Sequence, residues 1–102
     1  MNQHLREFPA ILTVDKYQIQ GTKFMNSDVL ESVFDREERS RKLKHATILG
    51  NIYKHSVRLF FKNKLNQVMK TEAKVRSVTE KYVILKNSIH IPISSVLNVE
   101  YI

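Results

Sequence analysis

The sequence predicts an α+β protein: an N-terminal helical segment followed by a small, strongly bent antiparallel β-barrel. Three observations predict it. Residues 56–102 are runs of β-branched and aromatic side chains separated by polar turn pairs, the pattern of a strand meander. Residues 26–54 instead repeat apolar side chains at three- and four-residue steps behind a group of cap-forming residues. Within the meander, Val78 falls out of the alternation that precedes it, and such a slip marks the bend by which a short sheet curls.

With 102 residues, the chain suits one domain with one modest core. A tail is expected over 1–9, a helical part over 24–55 and the barrel over 56–102. Pro9 ends the tail, because the residue before a proline favours extended backbone. Ile11, Val14, Tyr17 and Ile19 fit neither period, so residues 10–20 read as irregular or as a short strand before Gly21.

Asn26-Ser27-Asp28 are helix-capping types, and Glu31 stands three beyond Asp28 as in a capping box. Phe24 or Met25 would staple that start. Val29, Leu30, Val33 and Phe34 supply the apolar stripe, so a short helix is expected over 27–35. The charged stretch from Asp35 to Lys42 is a solvated helical bridge or a linker. Glu37 with Arg41 and Glu38 with Lys42 have the spacing of helical ion pairs. Leu43, Ala46, Leu49 and Tyr53 predict a second helix over 40–54, although Gly50 within it costs about 1 kcal/mol against alanine. Lys54 and His55 would lie at the negative end of its dipole.

Val57, Leu59 and Phe61 share one strand face; Arg58, Phe60 and Lys62 share the other. Asn63 to Asn66 turn the chain. The second strand spans 67–78, with a bulge or bend near Ser77. Thr79 to Lys81 turn again, and Tyr82 to Lys86, apolar nearly throughout, is a central strand. Asn87-Ser88 is a tight hairpin turn. Ile89, Ile91 and Ile93 alternate with an outward His90 and with Pro92, which ends or bends its strand. Ser94-Ser95 turn into a last strand, Val96 to Tyr101. This rhythm fits an SH3-like or Sm-like barrel.

Net charge is +7 and pI about 9.8. The excess is concentrated in residues 36–64, where nine basic face two acidic side chains. A basic band attracts polyanions or acidic protein surfaces. The apolar runs are too short to span a bilayer. The N-terminus has no signal-peptide core. No cysteine is present. Disulfides and thiolate metal sites are therefore excluded, and a cytoplasmic location is expected.

Catalytic chemistry is not visible. His4, His45, His55 and His90 lack metal-binding spacing, and with Gly21 and Gly50 as its only glycines the chain has no phosphate-cradling loop. The serines lack a nucleophile-elbow context. No enzyme, cofactor or metal is expected. What remains is cationic and aromatic. Arg36, Arg39, Arg41, Lys42 and Lys44 form one group. Arg58, Lys62, Lys64, Lys70, Lys74 and Arg76 lie on the first two strands beside Phe60. Cations with stacking rings are how single strands are bound, and Phe60, Tyr82 and Tyr101 offer rings if they are not core. DNA or RNA is the expected partner. The alternative is a protein-interaction module that meets an acidic partner surface and contacts no nucleic acid.

The order of elements, with Val57, Leu59 and Phe61 in the first strand and the Ile91, Pro92, Val96, Val99 pattern at the end, resembles the YolD-like family of small proteins from Gram-positive bacteria, their phages and plasmids. The likeness covers roughly residues 24–102 and is one of hydrophobic pattern. The chain departs from that pattern in lacking the family's hairpin glycines and its Met-Leu-Pro signature. The resemblance implies two helices before a four-stranded barrel. It also implies a non-catalytic accessory role beside an error-prone DNA polymerase in damage tolerance.

Overall fold

The structure, a computed structural model, describes residues 10–102. The tail expected over 1–9 lies outside the described residues. The architecture is α+β. In chain order it comprises β1 (Leu12–Thr13), α1 (Lys16–Gln20), α2 (Val33–Asn51), β2 (Val57–Lys62), β3 (Val68–Ala73), β4 (Val75–Val78), β5 (Tyr82–Leu85), β6 (Ile89–Pro92) and β7 (Val96–Tyr101). Short 3-10 turns, Lys86–Ser88 and Ile93–Ser95, flank β6.

The strands form two sheets, ordered β1-β3-β2-β7 and β4-β5-β6. This corrects the expected closed barrel. The predicted second strand is present but broken at Lys74, so β3 pairs with β2 and β4 with β5. The bend expected near Ser77 is there, as a register shift between Val75 and Ser77. Helices cover what strand pairing leaves open: α2 packs on β4 and β7, and α1 on β6.

The strand alternation behaves as its period of two dictates. Val57, Leu59 and Phe61 are fully buried, while Arg58, Phe60 and Lys62 are half-buried on the outer face. β5 is the central strand of its sheet, and its Val83 and Leu85 are core residues. The β5–β6 hairpin turns through Asn87 and Ser88, at φ 69° and 60°. That geometry usually calls for glycine, and asparagine is among the residues that tolerate it best.

The N-terminal half differs more. One helix, α2, replaces the two expected. It begins at Ser32, whose hydroxyl accepts the Asp35 N–H, and runs through the charged stretch for 19 residues. Arg39, Leu43, Ala46 and Gly50 form its buried face. The helix expected over 27–35 is absent because Asp28 is engaged elsewhere. Its carboxylate accepts the Leu30 N–H at 2.8 Å, closing a local turn that competes with helix. Gly50 marks a close approach: a Cβ there would overlap the Val75 carbonyl oxygen. Residues 10–20, expected to be irregular or a short strand, hold the two-residue strand β1 and, beyond that expectation, the helix α1. β1 runs parallel to β3, and Asp15 and Gln18 form a reciprocal capping box that starts α1.

Candidate nucleic-acid interface

The outer face of the four-stranded sheet centres on Phe60. Lys70 lies directly across from it on β3 and Asn98 across from it on β7. Directly opposed side chains in a sheet stand about 5 Å apart at Cβ. Lys62 follows two residues along the same face. Lys42 reaches over from α2 and donates to the Asn98 side-chain oxygen at 3.1 Å. A half-buried ring therefore lies among three lysines. Among the described residues, no carboxylate forms an ion pair with Lys42, Lys62 or Lys70.

The other end of this face is neutralised. Arg58 donates to Glu72 at 2.8 Å and to Glu100 at 3.2 Å, one acceptor on each neighbouring strand. Those hydrogen bonds, Glu72 first, raise the Arg58 pKa above its ordinary value. The face is thus polarised along β2, from a balanced Arg58 end to a cationic Lys62 end.

The remaining candidates are dispersed. Arg39 is withdrawn from the surface, 6% exposed, with its guanidinium on Asp28 and on the Val96 carbonyl. Arg36 caps the Leu30 carbonyl at 2.7 Å and lies near Asp28. Arg41 pairs with Glu38 one turn back, not with Glu37 as its spacing suggested. Lys44 is exposed on α2. Arg76 reaches toward Asn51 at the end of α2, and Lys74 occupies the break between the sheets. The expected cluster over 36–44 is therefore not one patch, because a single helix fans those side chains around its axis.

Neither tyrosine proposed as a stacking ring is core. Tyr82 and Tyr101 are both exposed, and each meets a histidine edge-on, His90 at 5.6 Å and His45 at 5.2 Å. The Tyr101 hydroxyl donates to the Lys42 carbonyl at 3.3 Å. Partial burial first, with Glu38 adding to it and Arg41 opposing, raises its pKa. His90 points outward as expected. Among the described residues no group of histidines and carboxylates is placed to hold a metal ion, and no helix is long and apolar enough to cross a membrane.

One feature escaped the sequence reading. A cavity of about 500 Å³ opens at the seam between the sheets, under α1. Lys16, Lys74 and Lys86 line it, from three separate segments, together with Tyr17. No spacing rule joins residues that far apart. The one usable signal was Asp15 with Gln18, a capping-box pattern that places Tyr17 on a helix. In comparisons with protein-family models, curated proteins and solved structures, nothing matched this chain.

Proposed function

We propose that this protein is a non-catalytic accessory that binds single-stranded nucleic acid across the outer face of its four-stranded sheet. One observation carries the reading: Phe60 lies among Lys42, Lys62 and Lys70, none of them ion-paired to a described carboxylate. A base stacks on the ring, and the lysines meet the flanking phosphates. Affinity comes from phosphate contacts and carries little base preference. Arg39 has no part in it, and Arg58 contributes little while Glu72 and Glu100 hold it. The resemblance to the YolD-like family would set this role beside an error-prone DNA polymerase in damage tolerance, in the cytoplasm. The test is fluorescence anisotropy with single-stranded DNA and RNA oligonucleotides. Binding at ~50 mM salt that weakens steeply as salt rises supports the proposal. No binding to either strand at that salt rejects it.

A second reading is favoured by the exposed apolar residues of α2. Phe34 is 67% exposed, and Val33 beside it is equally so. They suit a protein-interaction module whose partner surface is acidic around an apolar anchor, meeting Arg41 and Lys44. Charge reversal at Arg41 and Lys44 would then abolish capture of the partner and leave oligonucleotide binding unchanged.

A further inference from the structure

We propose that the cavity at the seam of the two sheets binds a nucleoside monophosphate, either free or as the phosphorylated end of a strand. It goes beyond the sheet-face reading, because of the two sites' residues only Glu72 lies near both, and Phe60, Lys42, Lys62 and Lys70 lie outside the cavity.

Val14, Ile19, Leu85 and Ile89 are all buried core residues and give the cavity an apolar floor. Tyr17 stands at the mouth, 71% exposed, with the Lys16 ammonium 5.2 Å from its ring centroid. At about 500 Å³ the volume falls within the common span of small-molecule sites, roughly 300–1,000 Å³. An apolar floor with an aromatic side wall suits a flat ring.

The charge is what selects an anion. Three lysines line the cavity: Lys16, Lys74 and Lys86. Two carboxylates line it as well, one capping α1 and one paired with an arginine. Asp15 accepts the Tyr17 and Gln18 N–H groups, each at 3.0 Å, and Glu72 is held by Arg58. Among the described residues none of the three lysines forms an ion pair. Lys74 and Lys86 are held side by side, because the Lys86 N–H donates to the Lys74 carbonyl at 3.0 Å. Three lysines against two carboxylates, one of them already paired with Arg58, leave the opening a net positive charge that suits a phosphate.

A polar group inside the cavity points the same way. Thr71 of β3 is 6% exposed and also lines the cavity, so it brings a hydroxyl to the site. A hydroxyl both donates and accepts, so it suits a ligand oxygen or ring nitrogen. The site therefore offers an apolar slot, a stacking ring, an inner hydroxyl and an outer cationic rim, and a ring bearing a phosphate uses all four.

The test is calorimetric titration of the full chain with adenosine monophosphate, adenosine, inorganic phosphate, and an oligonucleotide with or without a 5′-phosphate. Saturable binding of the monophosphate is expected, with adenosine and phosphate alone each weaker by about tenfold or more. Lys86→Glu and Lys16→Glu, both at exposed positions, should each weaken it by about tenfold while circular dichroism stays unchanged. Phe60→Ala should leave it intact, which separates this site from the sheet face. If the 5′-phosphorylated oligonucleotide competes and its unphosphorylated twin does not, the site takes strand ends; if only the free monophosphate binds, it serves the nucleotide. Either result supports the proposal. No binding at millimolar monophosphate, phosphate alone binding as tightly as the nucleotide, or Lys86→Glu and Lys16→Glu both binding like the parent chain would overturn it.

Discussion

Arg39 and Asp28 form a two-pronged ion pair: Nη1 lies 2.8 Å from Oδ1 and Nη2 2.7 Å from Oδ2. The same Nη1 donates to the Val96 carbonyl at 3.0 Å. One guanidinium thereby ties three segments together: the irregular chain before α2, α2 itself and the start of β7. Planar, bidentate geometry of this kind is the particular property of arginine.

Removing one partner strands the other in a dry setting. Arg39→Ala should destabilise the fold by about 3 kcal/mol, read as a lower urea midpoint. Asp28→Ala leaves the more deeply buried guanidinium without its carboxylate, so it should cost at least as much. Arg39→Met combined with Asp28→Leu should recover most of the loss, since an apolar pair of similar volume avoids desolvation. A double variant as unstable as Arg39→Ala would locate the cost outside the ion pair.

The same pair sets an acid limb. Partial burial works to raise the Asp28 pKa, but the hydrogen bonds from Arg39 and the Leu30 N–H, with the charges of Arg39 and Arg36, outweigh it and hold the carboxyl below its ordinary value. A depressed folded pKa means stability present above the unfolded value, about 3.9, and lost as pH falls through the folded one. Urea midpoints measured from neutral pH downward should therefore drop below about pH 4. Asp28→Asn should start lower and fall less steeply. An identical slope in the variant would remove Asp28 as the source.

Gly50 sets two effects against each other. Alanine there gains about 1 kcal/mol of helix propensity. Its Cβ would overlap the Val75 carbonyl oxygen, which is backbone and cannot swing aside. Forcing α2 off β4 costs roughly 1–3 kcal/mol, so the overlap wins and Gly50→Ala should lower the thermal midpoint. A raised midpoint would show that α2 does not rest on β4 this closely.

Local pattern carried the strand half of the fold. Val57, Leu59 and Phe61 are buried because a one-residue slip would turn all three outward, and Val96 to Tyr101 was bounded by a serine turn on one side. The helical half failed where a distant residue outbid a local one. Asp28 has the chemistry of a cap, but a guanidinium eleven residues on takes both of its oxygens. The sheet break at Lys74 was illegible for a similar reason: alternation continues across it, and only the choice of partner strand changes. The basic stripe was visible as composition. Which of its cations keep their charge available was not, because Glu72 and Glu100 meet Arg58 across strands.

That cross-strand neutralisation yields the sharpest test of the sheet face. Glu72→Gln removes one of the two carboxylates holding Arg58 and returns positive charge to the face beside Phe60. Oligonucleotide affinity should rise, and the slope of log K against log salt should steepen by up to about one phosphate contact. Lys70→Ala should act in the opposite sense, weakening binding and flattening the slope by about 1. Phe60→Ala should weaken binding by about 1–3 kcal/mol with the slope unchanged, since stacking releases no counterions. The three responses differ in kind, so no general loss of fold can imitate them. If Glu72→Gln leaves both affinity and slope where they were, strands do not lie across this face.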